Sequence, residues 1–193
     1  VKVFRQARKL IGLSPQELNF DVFFSIVELL ELQAGYYGLS NKEAKERTTI
    51  MLEQFGLTEK RNSRARELSG GMKRRVQIAK SLVHDPKIVI LDEPTAGVDI
   101  ELRHMLWDYL RQINVEGKTI LLTTHYIEEA EQLCETVSII NDGKIIVTDS
   151  PDNLTQSHGM SGLEITLTSE VTDLKLNPWT FNIIDGKIHV NID

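Results

Sequence analysis

The chain has 193 residues, 41% hydrophobic, 6% aromatic and 26% charged, with a net charge of −6. That length can bury one core with an appendage, and the acid excess gives no electrostatic reason to expect nucleic acid as a partner, since phosphate-backbone binding depends on clustered Lys and Arg. No apolar run approaches the roughly 18 residues that cross a bilayer, no secretory leader opens the chain, and Cys134 alone excludes an internal disulfide framework or a cysteine-rich metal site; a soluble, cytoplasmic chain is expected.

Residues 1–13 are basic with scattered apolar positions and begin at Val1 without an initiator methionine, as a fragment would. They end in Leu10-Ile11-Gly12-Leu13, a strand candidate closed by Ser14-Pro15, where proline disfavours helix at the residue before it. Two capping-box sequences follow: Ser25 with Glu28 before Leu29, Leu30 and Leu32, and Ser40 with Glu43 before Ala44, Thr48, Met51, Leu52 and Phe55. Residues 17–67 are therefore a helical insert. A further helix follows Gly70-Gly71, with Met72, Val76, Ala79 and Val83 on its apolar face, and stops before Asp85-Pro86. Its run Lys73-Arg74-Arg75, the one dense basic cluster, is most simply a solvated, partly paired face.

The period then shortens. Strands at 87–91, 119–123 and 137–141 alternate with helices at about 99–114 and 126–134, giving βαβαβ, a parallel sheet covered by helices. Cys134 falls at helical spacing with Ala130, Leu133 and Val137 and reads as buried packing. Asp142-Gly143 is a hairpin signal that pairs 137–141 with 144–148. Beyond Pro151 the pattern alternates at 163–167, and Asp185-Gly186 separates 181–184 from 187–192 as a second hairpin. The division predicted is 1–16 core remnant, 17–67 helical subdomain, 68–150 core, and 151–193 small β appendage.

The chemistry gathers at strand ends. The apolar run 88–91 stops at Asp92 and Glu93, and ligands of parallel α/β sheets bind beyond the carboxyl ends of the strands. Asp92 is placed to hold Mg²⁺ through its water shell and Glu93 to orient or deprotonate a water attacking a γ-phosphate; the plain alternative is that both acids cap the next turn. The run 119–123 leads to His125, which can face Glu93 and donate to a phosphoryl group, or bond a local carbonyl. Ser69-Gly70-Gly71 opens a helix with no bulky side chain in the way, so that N–H groups, the helix dipole and a hydroxyl can meet an anion, although an ordinary serine N-cap reads the same. Gln16, after Pro15, can offer an amide oxygen to Mg²⁺ or to the attacking water. Asp99 is an N-cap for the helix behind it.

These segments, in this order, resemble the ABC ATPase family from Val1 to Leu154. The resemblance implies a P-loop NTPase-like α/β fold with a parallel sheet core, a helical insert and a small C-terminal β appendage, the N-terminal part of the fold being absent. It implies Gln16 as the Q-loop, residues 68–72 as the signature, 88–93 as Walker B, 96–99 with Asp99 as the D-loop, and His125 as the switch histidine. Leu68-Ser69-Gly70-Gly71-Met72-Lys73-Arg74-Arg75 looks like the type-2 exporters that move drugs, ions or polysaccharides. ATP and Mg²⁺ are the implied cofactors. The implied partners are a second ATPase subunit, paired head to tail, and a transmembrane permease that holds the subunit at the inner face of the membrane. The permease groove is expected near Phe20, Phe23, Phe24 and Tyr36.

Such a motor needs G-x-x-x-x-G-K-[ST], whose backbone and lysine cradle the β-phosphate. The chain has no such run: Gly117-Lys118-Thr119 has Gln112 where the first glycine belongs and precedes a strand, while Gly143-Lys144 and Gly186-Lys187 precede isoleucine. The phosphate loop and the adenine-stacking aromatic are expected upstream of Val1, and these residues alone are expected to be inactive. Two other readings fit the motifs: a truncated, non-hydrolysing regulatory partner of a complete motor, and a soluble ABC protein of translation or DNA repair.

Overall fold

The computed structural model describes residues 2–19, 21, 23–158, 162–166, 180–184 and 187–191. It divides into two compact units, residues 1–133 and 134–193.

The first unit opens with helix α1 (Lys2–Lys9), which the scattered apolar positions did not announce, and strand β1 (Ile11–Ser14). Helices α2 (Ile26–Tyr36) and α3 (Asn41–Gln54) form the insert, and both capping boxes are made. The backbone N–H of Ser25 donates to Glu28 Oε2 at 2.8 Å and that of Ser40 to Glu43 Oε2 at 2.8 Å. These bonds hold both glutamates below their ordinary pKa, through the serine hydroxyl first and the backbone second. After 3₁₀ turns at Thr58–Lys60 and Ala65–Glu67 comes α4 (Gly70–Leu82), then β2 (Ile88–Asp92), α5 (Ile100–Val115), β3 (Thr119–Thr123) and α6 (Ile127–Leu133).

Strands β1, β2 and β3 lie parallel in that order, with Ser14 opposite Leu91 and Asp92 opposite Thr123. Parallel pairing requires crossovers, and α5 supplies the one between β2 and β3. Helix α4 packs between insert and sheet: Ile26, Leu30, Met51 and Phe55 share one buried cluster with Val76, Ile78, Leu82, Val89, Leu91, Leu106 and Leu110. Its approach to β1 is close, since a Cβ on Gly12 would lie 2.1 Å from the Ser81 carbonyl oxygen. Alternate strand residues face away from this core, and there Leu13 and Leu121 are 58% and 59% exposed.

In the second unit β4 (Val137–Asn141) pairs with β5 (Lys144–Asp149) antiparallel, and Asp142 and Gly143 both take left-handed φ, +47° and +72°, as a two-residue hairpin turn demands. The sequence pattern expected β4 in the parallel sheet; among the described residues its ladder is the one the hairpin turn provides. Helix α7 (Pro151–His158) follows, with proline at its first position and Ser150 Oγ accepting from Asn153 N at 3.3 Å; the alternation of the tail did not foretell it. Strands β6 (Gly162–Thr166), β7 (Thr180–Ile184) and β8 (Lys187–Asn191) form an antiparallel sheet in the order β6-β8-β7, the expected β appendage, while the turn Asp185-Gly186 lies outside the described residues. Cys134 is half-buried, not fully packed away.

Candidate functional site

The register of the parallel sheet brings the carboxyl ends of β2 and β3 together. Thr123, opposite Asp92, donates its hydroxyl to Asp92 Oδ1, and the Glu93 N–H donates to the Thr123 carbonyl at 3.0 Å. Glu93 itself has φ +50°, a left-handed backbone uncommon outside glycine, which turns its side chain out of the strand direction. There its Oε2 comes within 2.5 Å of His125 Nδ1 without the alignment of a hydrogen bond; the glutamate side chain is 19% exposed and the histidine 60%. His125 thus faces Glu93, as the strand ends predicted, and leans on Tyr126 at 4.0 Å between ring centroids.

Helix α4 starts as the Ser-Gly-Gly run predicted. Ser69 Oγ accepts from Met72 N at 3.2 Å, and the helical ladder begins with Lys73 N on Ser69 O at 2.9 Å. The N–H groups of Gly70 and Gly71 precede that ladder and have no partner within the helix. No atom lies within 4 Å of where a Gly70 Cβ would stand, so this helix end is open. Asp99 caps α5, its Oδ1 accepting from Leu102 N at 2.8 Å. Gln16 is exposed in the loop after β1.

One expectation is overturned. Lys73-Arg74-Arg75 is not a solvated face: Arg74 is only 4% exposed, and its guanidinium donates to the carbonyls of Pro15, Gln16, Asp92, Glu93 and Pro94. Arg75 donates to Phe55 O at 3.0 Å. Burial pulls the Arg74 pKa down, against the charges of Asp92, Glu93 and Glu129. The sequence signal was weak, because a basic triplet at a helix start is ordinarily exposed, but Arg74, Gln77 and Ser81 recur at turn spacing and all are buried. Glu129, completely buried with Oε1 accepting from Trp107 Nε1 at 3.0 Å, was missed for the same reason.

The Gly-Lys-Thr decoy is settled by geometry. Lys118 Nζ lies 2.7 Å from Asp85 Oδ1 and donates to Pro86 O, so that lysine is committed at the opposite edge of the sheet. A cleft of about 630 Å³ lies beside the insert, lined by Leu13, Pro15, Phe24, Leu32, Tyr36 and Lys80 among others. Phe23 and Tyr36 are 78% and 77% exposed nearby, and Phe20 lies outside the described residues. Burial lowers the pKa of Lys80.

The donor set can be tested against the groups the motifs imply. No cluster of three metal-ligating His, Cys, Asp or Glu side chains exists among the described residues. A single carboxylate such as Asp92 suits Mg²⁺, which keeps its waters and takes phosphate oxygens as ligands. Glu93, set against His125 and 19% exposed, presents its carboxylate at the same strand ends, and the open start of α4 suits a phosphate.

Parallel strands with acids and a histidine at their carboxyl ends, backed by helices, define an α/β domain whose ligand edge lies beyond the strand ends. Residues 2–96 match the ABC transporter family model. The Nod factor export ATP-binding protein I of Cupriavidus pinatubonensis is 43% identical over 152 residues, 79% of this chain and 47% of that protein. The protein of the same name from Burkholderia thailandensis is 44% identical over 162 residues, 83% of this chain and 53% of that one. The chain therefore spans about half the length of the curated relatives it matches. Among solved structures, the ATP binding subunit of an ABC transporter superposes with a TM-score of 0.73 at 28% identity, over 82% of this chain and 66% of that one. The dimeric post-hydrolysis state of the ATP-binding cassette MJ0796, bound to ADP and Pi, gives 0.71 at 26%, over 78% and 66%. Clostridium perfringens cbiO1, part of the ABC transporter complex cbiONQ, gives 0.70 at 29%, over 82% and 64%. The chain belongs to the ABC transporter ATP-binding family, and its fold is that of ABC ATPase subunits.

Proposed function

We propose that the chain is the switching and trans-acting part of the ATP-hydrolysing subunit of an ABC exporter of the type-2 branch. The observation that carries this is the convergence of Asp92, Glu93 and His125 at adjacent strand ends; the names of the relatives support export. Glu93 orients or deprotonates the attacking water, its carboxylate being the acceptor for that proton. His125, mostly exposed, donates to the transferring phosphoryl group. Asp92 would hold Mg²⁺, with Gln16 as a further ligand of the metal or the water, and Mg²⁺ when bound neutralises charge that builds on the phosphate oxygens. Ser69, Gly70 and Gly71 would receive the phosphates of ATP held by a second subunit paired head to tail, with Asp99 near that junction. The neighbour solved as a dimer with ADP and Pi supports the pairing, and the neighbour from a transporter complex supports a permease partner. The permease contact falls at the cleft beside Phe24 and Tyr36, and the subunit sits at the cytoplasmic face of the membrane through that permease.

One ATPase assay tests this. In the full-length subunit Glu93→Gln is expected to lower turnover by about 10²-fold or more while ATP still binds, and the 193 residues alone, which carry no phosphate-loop motif, are expected to show none. Undiminished turnover in the variant removes Glu93 from the reaction.

A further inference from the structure

Of the buried polar side chains of helix α4, Arg74 and Gln77 stand one turn apart, 4% and 5% exposed. A guanidinium offers five N–H donors in a planar fork, and here they meet five backbone carbonyls. Nε donates to Pro94 O at 2.9 Å, Nη1 to Pro15 O and Gln16 O at 3.0 Å each, and Nη2 to Asp92 O at 2.7 Å and to Glu93 O. Gln77 Nε2 adds Pro15 O at 2.5 Å and Glu17 O at 2.9 Å. The ladder between β1 and β2 ends at Ser14 opposite Leu91. Beyond it the two chains part, one into the loop that bears Gln16, the other into the turn that bears both carboxylates. Arg74 spans the gap. A buried cation is costly unless its donors are satisfied, and this one is satisfied by main chain from two separate segments rather than by a carboxylate. The peptide it grips at Glu93 is the one with left-handed φ, a conformation that persists only where its surroundings hold it.

We infer that Arg74 is a positioning residue that ties the loop at 15–17 to the turn at 92–94, so that displacement of the Gln16 loop is transmitted to the backbone of Glu93. The inference rests on Glu93 being the acid of the ATPase. Arg74→Lys keeps the charge but replaces the rigid fork with three donors on a flexible stem. In the full-length subunit it is expected to lower kcat about tenfold or more, with KM for ATP within about threefold of wild type, since a misplaced catalytic group costs rate rather than binding. Arg74 meets Gln16 through the main-chain carbonyl, so Gln16→Ala leaves the tie itself in place and does not stand in for Arg74→Lys. A kcat within about twofold of wild type, or a loss of kcat that merely follows loss of ATP binding and Tm, overturns the inference. Should Arg74→Lys fail to fold, Gln77→Leu removes only bonds to Pro15 and Glu17: a fall in kcat of about threefold or more at unchanged KM supports the tie, and an unaltered kcat overturns it. Glu93→Gln, assayed alongside, separates the two ideas. If it leaves turnover intact, the ATPase role of Glu93 fails and the tie with it; if it abolishes turnover while Arg74→Lys does not, the tie alone fails.

Discussion

The two edges of the same three-stranded sheet are built in opposite ways. Where β2 and β3 begin, charges close on one another: Asp85 Oδ1 lies 2.7 Å from Lys118 Nζ and 3.3 Å from Arg47 Nη2. Arg47 also donates to Leu82 O and Val83 O at the end of α4, and Leu82 O takes the Asp85 N–H as well. Where the strands end, no lysine or arginine forms an ion pair with Asp92 or Glu93 among the described residues. The nearest buried cation, Arg74, is spent on their carbonyls. Compensated charge at one edge serves folding. At the other edge the one side-chain ion pair of the two acids among the described residues is with His125, charged only when protonated, so a bound cation can still relieve their charge, and that marks the edge where chemistry is done.

The contrast is broken most sharply at His125. With 60% of its side chain exposed, it contributes little packing, and surface changes ordinarily move stability by no more than about 0.5 kcal/mol. His125→Ala in the full-length subunit is expected to lower turnover by about 10- to 100-fold while the thermal midpoint stays put. A variant that loses stability and keeps its turnover would make this edge structural like the other, and the contrast would be gone.

How much of this was legible depended on the range of the interaction. The capping boxes at Ser25 and Ser40 and the cap at Asp99 are set by neighbours three residues apart and were read correctly, and the strand expected over 87–91 runs one residue later, Ile88–Asp92. The meeting of Glu93 with His125 was also readable, because parallel strands share an edge and both runs end in polar residues. Arg74 was not. Its five acceptors lie 18 to 59 residues away, and only the fold brings them to it. Glu129 is similar, an acid in a run of acids whose burial depends on Trp107, 22 positions earlier. Helices α1 and α7 were missed because α1 has no acidic residue in its first turn and α7 is mostly polar, leaving little apolar period to detect.

A smaller effect sharpens the contrast from the closed edge. Asp85 has φ +57°, so asparagine, which tolerates that backbone, is the substitution that removes charge alone. Burial raises its pKa, but the Lys118 hydrogen bond and the charges of Arg47, Lys118 and His84 outweigh this and leave it below the ordinary 3.8. A depressed carboxylate stabilises the fold above its unfolded pKa and loses that contribution as pH falls through the folded one. Asp85→Asn is therefore expected to cost about 1 kcal/mol or less at pH 7, since Asp85 is 59% exposed and solvent screens the pairs. It should also flatten the loss of stability below pH 3.8 and leave kcat unchanged. A fall in kcat without a fall in stability would mean that the two edges are coupled rather than divided in labour.

An effect confined to a pH window belongs to His84 at the same closed edge. It is 8% exposed, stacked on Tyr37 with ring centroids 3.5 Å apart, its Nε2 3.1 Å from Ile11 O and its Nδ1 buried without a partner. Burial holds its pKa below the ordinary 6.5; the Ile11 carbonyl and Asp85 oppose that shift, and Arg47 and Lys118 add to it. Because the folded chain binds this proton less readily than the unfolded one, the neutral ring's contribution is fully present above pH 6.5 and is lost as pH falls through the folded value. One such proton gives a slope of at most about 1.4 kcal/mol per pH unit. The urea midpoint is expected to fall between about pH 7 and pH 5.5, and His84→Phe, which keeps the stack on Tyr37 but takes no proton, should show a shallower fall over that window. An identical slope in the variant would show that the proton taken up on unfolding goes elsewhere.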